Sequence, residues 1–195
     1  KIANYCYEHG EEVRVVGVPK TIDNDLPITD HCPGFGSAAK YIATTLMEVA
    51  ADAEVYPMKS VVIAEIMGRN AGWLTAAAAL TRELGGSYAP QLIYLPEAAF
   101  DPEQFVADVR RELELCNTVV VAVSEGVRLA DGSYVAESMQ SGQVDAFGHK
   151  YLAGVGKYLE RLTADRIGCK VRSLELSVMQ RAAAHLQSAT DLEEA

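Results

Sequence analysis

Residues 13 to 25 read V-R-V-V-G-V-P-K-T-I-D-N-D, and the rest of the chain is organised around this stretch. A β-branched run that reaches Val18 stops at Pro19, which predicts a buried strand over residues 13–18 followed by a polar turn. Parallel α/β sheets bind their ligands at the carboxyl ends of the strands. The polar turn is therefore the first candidate for a functional site.

The turn places two carboxylates, Asp23 and Asp25, beside Lys20 and Thr21. Like charges raise one another's pKa, and a nearby cation relieves them. One carboxylate could accept a proton while the other faces a metal or a second charge. A solvated, Asx-rich turn accounts for the same residues equally well, so both interpretations stay open on this evidence alone.

Helical and strand-like periodicities alternate along the chain. Strands are predicted at 59–66, 91–95, 118–123 and 170–176, and helices at 1–9, 36–53, 71–80, from Asp101-Pro102 onward, from Asp145 to Gly168, and at 177–188. Thr190 and Asp191 are expected to cap one further helix. This alternation predicts an α/β fold in which a mostly parallel sheet carries helices on both faces, a Rossmann-like three-layer sandwich. Without repeats or linkers, residues 1–195 are expected to form one domain.

Composition and charge exclude several classes of function. The formal net charge is −10, which argues against nucleic-acid and anionic-lipid surfaces because both need a positive field. No apolar run reaches membrane-spanning length. The four cysteines and four histidines show no zinc or other metal spacing. These features favour a cytoplasmic enzyme with reduced thiols.

The motif P-K-T-I-D-N-D at residues 19–25 resembles the catalytic signature of the phosphofructokinases, and M-G-R at 67–69 resembles their sugar-phosphate signature. Further matches reach Gln180-Arg181, so the resemblance covers nearly the whole chain. Lys20, with the residues that follow it at 26–31 and 33–37, is most similar to the diphosphate-dependent branch. The resemblance implies the phosphofructokinase fold. It places residues of about 35–180 in the sugar-phosphate lobe and pieces of the donor lobe at both ends.

The resemblance also implies roles for the polar turn. Asp23 would accept the proton of the sugar 1-hydroxyl, and Lys20 would stabilise the transferring phosphoryl group. Thr21 would contact the sugar or that phosphoryl group. Asp25 would hold Mg2+, mostly through water, since magnesium keeps several waters. These are the parts that phosphoryl transfer needs, because the reaction depends on positioning and charge neutralisation.

Binding of fructose 6-phosphate is implied for Met67, Gly68 and Arg69, and binding of a sugar hydroxyl for Glu125. A surface turn with an exposed arginine, and a solvated loop glutamate, are the competing interpretations. The choice between them depends on whether Asp23 lies nearby.

Two arginines nine positions apart, Arg172 and Arg181, match a substrate pair in the family, one of which reaches across a subunit interface. A charged edge strand would equally explain Arg172. The ATP-dependent enzymes carry a histidine three residues before the second arginine, where this chain has Val178. Lys59 is a hypothetical replacement for the missing phosphate ligand.

The leading hypothesis is transfer of a phosphoryl group from diphosphate to fructose 6-phosphate with Mg2+, in glycolysis. The alternatives are the same reaction with ATP and a non-catalytic sugar-phosphate binding module. The Gly-Gly-Asp donor loop of the family does not occur in these residues. The 195-residue chain is therefore expected to be inactive or nearly so alone, and the parent protein is expected to be a homo-oligomer, a dimer or tetramer.

Overall fold

The computed structural model describes residues 1–17, 20–84, 90–136 and 154–194. The helices are α1 (Ile2–Glu8), α2 (Phe35–Glu54), α3 (Trp73–Ala76), α4 (Pro102–Leu115), α5 (Val155–Ile167) and α6 (Ala189–Glu194). The strands are β1 (Ser60–Ile66), β2 (Leu92–Tyr94), β3 (Thr118–Ser124) and β4 (Lys170–Glu175). Three 3-10 segments span Ala77–Arg82, Ser177–Arg181 and Ala184–Leu186.

The four described strands form one parallel sheet in the order β2-β3-β1-β4. The central strands β1 and β3 are buried along their whole length, as expected for parallel strands whose sheet is covered on both faces. Alternate residues enter two separate cores: Val61 and Ile63 pack with α4 and α5, whereas Ala64 and Ile66 pack with α2 and α3. The predicted three-layer α/β sandwich is confirmed.

Local signals placed several helix boundaries correctly. Asp101 caps α4, since its Oδ1 accepts a hydrogen bond from the Glu103 N–H at 2.9 Å, and Pro102 occupies the first helical position. Gly168 ends α5 in the left-handed region at φ 78°. The predicted beginning of that helix, near Asp145, lies outside the described residues.

The predicted buried strand over residues 13–18 is wrong for residues 13–17, which have no regular secondary structure. Val13, Val15 and Val16 are 56%, 48% and 83% exposed. A β-branched run becomes a strand only where neighbouring strands and a covering layer exist. None of the described strands pairs with residues 13–17.

Two predicted α-helices consist partly or wholly of 3-10 segments. The stretch 71–80 forms the single turn α3 and then a 3-10 segment. In the stretch 177–188 two short 3-10 segments replace one helix. There the Gln180 side chain donates from Nε2 to the Ser177 carbonyl at 3.0 Å, which competes with regular helical hydrogen bonding.

Asp191 caps a different helix from the one that the sequence predicted. Ser188 begins α6 by accepting from the Asp191 N–H at 3.1 Å. The Asp191 carboxylate instead accepts from the N–H groups of Gly34 at 2.6 Å and Ser37 at 2.7 Å, at the amino end of α2. Burial alone would raise the pKa of Asp191, but the hydrogen bonds from Ser37, Gly34 and Ser188 lower it to about 2. This clasp joins α6 to α2.

Among the described residues, no helix is both long and apolar enough to span a lipid bilayer. The four cysteine thiols are free. The division of the chain into pieces of two lobes stays a prediction.

Candidate active site

The carboxyl ends of β1 and β3 and the polar turn surround a cleft of about 420 Å³. Its lining residues are Lys20, Thr21, Ile22, Asp23, Asp25, Met67, Arg69, Asn70, Glu125, Tyr134 and Arg181. Most of the residues implicated by the two sequence motifs therefore meet at one edge of the sheet, where parallel sheets bind their ligands. We call residues 20–25 the turn half of the cleft, and residues 67–70 with 124–126 the strand half.

Short-range hydrogen bonds shape the turn half. Thr21 Oγ1 accepts from the Asp23 N–H at 3.1 Å. Asn24 adopts φ 57°, a left-handed conformation that asparagine tolerates better than most residues. Its Oδ1 accepts from the Cys32 N–H at 2.8 Å, and its Nδ2 donates to the Asp30 carbonyl at 3.4 Å. Asn24 thus fixes the loop that presents Asp23.

The strand half depends on a close approach between two backbone segments. Ser124 Oγ donates to the Gly68 carbonyl at 2.6 Å and accepts from the Gly126 N–H at 3.0 Å. The Gly68 N–H donates to Glu125 Oε1 at 3.4 Å. A Cβ at Gly126 would lie 2.2 Å from the Arg69 carbonyl oxygen, so only glycine fits there.

Gln180 connects the strand half to the segment that carries Arg181. Its side chain is 2% exposed, and its Oε1 accepts from the Met67 N–H at 3.2 Å. The exposed Arg181 follows directly and reaches the cleft. Gln180 therefore anchors this segment to the strand half, and Arg181 faces the cleft.

Two carboxyl groups of the cleft, Asp23 and Glu125, have raised pKa values. Burial raises the pKa of Asp23, and the negative charge of Asp25 raises it further, against the opposing charges of Arg69 and Lys20. Burial also raises the pKa of Glu125 to about 7, with the Gly68 N–H opposing this shift. Such shifted carboxyl groups in a cleft are typical of functional sites rather than solvated turns.

Glu65, which the sequence analysis missed, lies beneath the strand half. It is 5% exposed and accepts hydrogen bonds from the N–H groups of Gly156 at 2.7 Å and Gly154 at 3.1 Å. Burial raises the pKa of Glu65, and these two N–H groups oppose the shift. A glutamate within the apolar strand V-V-I-A-E-I was a signal that could have identified it. Its carboxylate caps α5, which has no side-chain cap of its own.

Two predicted substrate residues lie elsewhere in this chain. Lys59 precedes the amino end of β1, whereas the cleft follows its carboxyl end, a separation of roughly 20 Å along a strand of seven residues. Arg172 lies on the edge strand β4, where its Nη1 donates to Asp52 Oδ2 at 3.3 Å. The edge-strand interpretation describes the position of Arg172 in this chain. A contribution of either residue to the site of another subunit stays a prediction.

Asn70 and Tyr134 line the cleft but were not predicted. Asn70 adjoins the M-G-R motif, and its position alone could have suggested it. Tyr134 is half-buried in a hairpin, where it forms an antiparallel bridge with Arg128. The contact of Arg128 with Asn70, 58 positions away, joins this hairpin to the cleft wall.

The chain matches the family model described as phosphofructokinase over residues 1–184. It is 46% identical to a pyrophosphate–fructose 6-phosphate 1-phosphotransferase of Xanthomonas campestris pv. campestris, in an alignment that covers 100% of this chain and 46% of the relative. A sulfofructose kinase of Alkalicoccus urumqiensis is 35% identical, over 100% of this chain and 49% of its own length.

Among solved structures, the crystal structure of a pyrophosphate-dependent phosphofructokinase from Marinobacter aquaeolei matches with a TM-score of 0.79 and 34% identity. The match covers 99% of this chain and 44% of that one. The chain thus spans about half the length of the relatives that it matches.

Proposed function

The chain belongs to the phosphofructokinase family, and we propose that the protein that contains it transfers a phosphoryl group from diphosphate to the 1-hydroxyl of fructose 6-phosphate. The products are fructose 1,6-bisphosphate and phosphate, and the reaction is reversible. The observation that carries this proposal is the convergence of Asp23, Lys20, Arg69 and Arg181 in one cleft. A general base and a set of cations are what phosphoryl transfer requires of a protein.

Asp23 is the general base of the proposed reaction. Its carboxylate takes the proton of the sugar 1-hydroxyl as that oxygen attacks the terminal phosphorus of diphosphate. The bond between that phosphorus and the bridging oxygen breaks, and phosphate leaves. The raised pKa of Asp23, caused chiefly by burial, supports this role, because a base is most effective when its pKa is near the working pH.

Three cations, Lys20, Arg69 and Arg181, line the cleft of a chain whose formal net charge is −10. A phosphorylated sugar and diphosphate are both strongly anionic, so binding requires a local positive field against the overall one. We infer that Arg69 and Arg181 bind the sugar phosphate through planar, charge-assisted donors. Lys20 then stabilises the charge that develops on the transferring phosphoryl group.

The sugar lies against the strand half. Met67 and Gly68 supply a close backbone approach, and the carboxyl group of Glu125 hydrogen-bonds a sugar hydroxyl. With a pKa raised to about 7, Glu125 can donate or accept near neutral pH. Thr21, beside Asp23, contacts the sugar or the transferring phosphoryl group.

Asp25 fits a role as a ligand of Mg2+. Within the described residues, no three His, Cys, Asp or Glu side chains converge as a metal cage. Magnesium in phosphoryl-transfer sites commonly takes only one or two carboxylates together with substrate phosphates and waters. The exposed Asp25 lines the cleft near Asp23, so it can supply such a carboxylate. When bound, the ion would neutralise charge on the phosphates.

The deciding experiment measures phosphorylation of fructose 6-phosphate by the whole protein that carries this chain. Diphosphate and ATP are compared as donors, and Asp23→Asn is the control variant. Diphosphate activity that the variant loses is the expected result. Activity with ATP alone would assign Lys20 a general role and replace the donor. Binding of fructose 6-phosphate without turnover by either donor would favour the non-catalytic binding module.

Two further measurements complete the test. Sulfofructose is assayed as a competing acceptor, because a relative that is 35% identical carries the name sulfofructose kinase. The 195-residue chain is assayed alone, and we expect little or no turnover because it lacks the donor loop named above. Measurable turnover by this chain would overturn that expectation.

We also infer that the whole protein acts in the cytoplasm, in glycolysis, as a dimer or tetramer. The acidic composition and the free thiols support the cytoplasmic location. The sites that subunits share in this family support the oligomer. Sedimentation of the whole protein measures the oligomeric state. A monomer that is fully active would contradict it.

A further inference from the structure

Arg128 contacts two residues of the cleft wall at once. Its Nη2 donates to Asn70 Oδ1 at 2.9 Å and to the Tyr134 hydroxyl oxygen at 2.5 Å. The guanidinium carbon lies 4.2 Å from the centre of the Tyr134 ring. Asn70 and Tyr134 both line the cleft, whereas Arg128 stands behind them.

This contact determines which way the Tyr134 hydroxyl can act. A guanidinium group has donors and no acceptor, so the tyrosine oxygen must accept from Arg128. The phenolic proton then remains for another acceptor, and among the described residues none is hydrogen-bonded to it. The hydroxyl is therefore set as a donor at the cleft wall.

The backbone holds Tyr134 firmly in place. Residues 128 and 134 form an antiparallel bridge, the Leu129 N–H donates to the Ser133 carbonyl at 2.9 Å, and the Val135 N–H donates to the Val127 carbonyl at 3.1 Å. This hairpin begins at Val127, two residues after Glu125. The position of Tyr134 is thus fixed relative to the strand half.

We propose that Tyr134 binds the 6-phosphate of the sugar, and that Arg128 is the positioning residue that holds its hydroxyl as a donor. This inference rests on the proposed function. A phosphate ester offers only acceptors, so it binds donors and cations, and the cleft carboxylates serve hydroxyl groups instead. Val178, three residues before Arg181, cannot donate a hydrogen bond and is 54% exposed. Tyr134, on the cleft wall, supplies a donor in its place.

The test measures the kinetics of Tyr134→Phe in the whole protein. Loss of one hydrogen bond to a charged group raises the KM for fructose 6-phosphate about tenfold, and kcat at saturation stays nearly constant. Fructose, which lacks the phosphate, is measured as a competitive inhibitor, and its inhibition constant should not change. The matched control is Tyr94→Phe, which removes a hydroxyl that donates to Asp108 at 3.0 Å, outside the cleft.

Arg128 is tested through its dependence on Tyr134. Arg128→Met should raise the KM in the wild-type background and add little in the Tyr134→Phe background, because the two residues act as one unit. Arg128→Lys should restore part of the loss. Additive effects of the two substitutions would overturn the positioning role.

Four outcomes separate the two proposals. An unchanged KM in Tyr134→Phe overturns the inference while the proposed function stands. Equal weakening of fructose and fructose 6-phosphate shows that Tyr134 contacts the sugar ring, and overturns it as well. If the wild type neither turns over nor binds fructose 6-phosphate by calorimetry, both proposals fail. If it binds without turnover, the calorimetric affinity of Tyr134→Phe decides the inference alone.

Discussion

The two halves of the cleft are built by opposite means. The strand half follows β1 and β3, whose residues are buried throughout. The turn half follows residues 11–17, which are exposed and irregular, and it is held by hydrogen bonds that the Thr21 and Asn24 side chains accept from backbone N–H groups. The proposed general base, Asp23, lies in the turn half, which has less packing behind it. Functional loops commonly come from the less stable parts of a fold, so stability and activity should separate on substitution.

The largest expected effect is on activity in the turn half. Asp23→Asn should lower kcat on the order of 10³-fold, because it removes the proposed general base, and should leave the thermal midpoint of unfolding nearly unchanged. Steady-state assay and thermal unfolding of the whole protein measure both. Asp30→Asn, on the same loop but outside the cleft lining, is the control and should keep its activity. A loss of stability as large as the loss of activity would remove the distinction between the halves.

Gly126→Ala tests the strand half. The new Cβ would lie 2.2 Å from the Arg69 carbonyl oxygen, and we expect a loss of about 3 kcal/mol in the free energy of unfolding from this overpacking. Gly17→Ala is the matched control in the exposed segment, because its Cβ meets nothing within 4 Å. Denaturant titrations that give equal losses at both glycines would contradict the comparison.

Valine-to-threonine pairs compare the two apolar runs directly. Val62 in β1 is 4% exposed and Val16 is 83% exposed. Val62→Thr buries a hydroxyl group and should cost about 2 kcal/mol of unfolding free energy. Val16→Thr should change it by less than about 0.5 kcal/mol. A cost at Val16 as large as that at Val62 would mean that the segment is buried in solution.

The last prediction concerns pH. The pKa of Glu125 is raised to about 7, chiefly by burial, whereas a glutamate in the unfolded chain titrates near about 4.3. Wild type therefore loses stability relative to Glu125→Gln as the pH rises from about 4.3 to 7. The difference in thermal midpoint between the two proteins should grow over this range and then level off. A constant difference from pH 5 to 8 would show that Glu125 is not perturbed.

Patterns of short range predicted much of this fold. The apolar runs of β1 and β3, the Asp101-Pro102 start of α4 and the Gly168 stop of α5 depend on neighbours in sequence, and all three predictions are confirmed. The run at 13–17 is also rich in valine, but the strand predicted there is wrong because burial depends on partner strands that periodicity cannot report. Apolar, valine-rich runs therefore predicted β1 and β3 correctly and the strand at 13–17 wrongly.

The site residues could be predicted where they belong to a contiguous motif, but not where the fold brings distant residues together. Residues 20–25 and 67–69 could be identified as motifs, and the structure brings them into one cleft. Gly126 depends on a close approach to the Arg69 backbone, and the hairpin that carries Tyr134 contacts Asn70 through Arg128, 58 positions away. These contacts with Arg69 and Asn70 are tertiary, and no local spacing encodes them.

The clasp between Asp191 and Gly34 also has a consequence for the order in which the protein matures during synthesis. The hydrogen bond joins residues 157 positions apart, so the amino end of α2 lacks this partner until α6 has left the ribosome. Because Gly34 follows the loop that carries Asp23, the turn half of the cleft can gain this support only after residue 191 has been synthesised. The nascent chain can build β1 and β3 while the cleft is still incomplete.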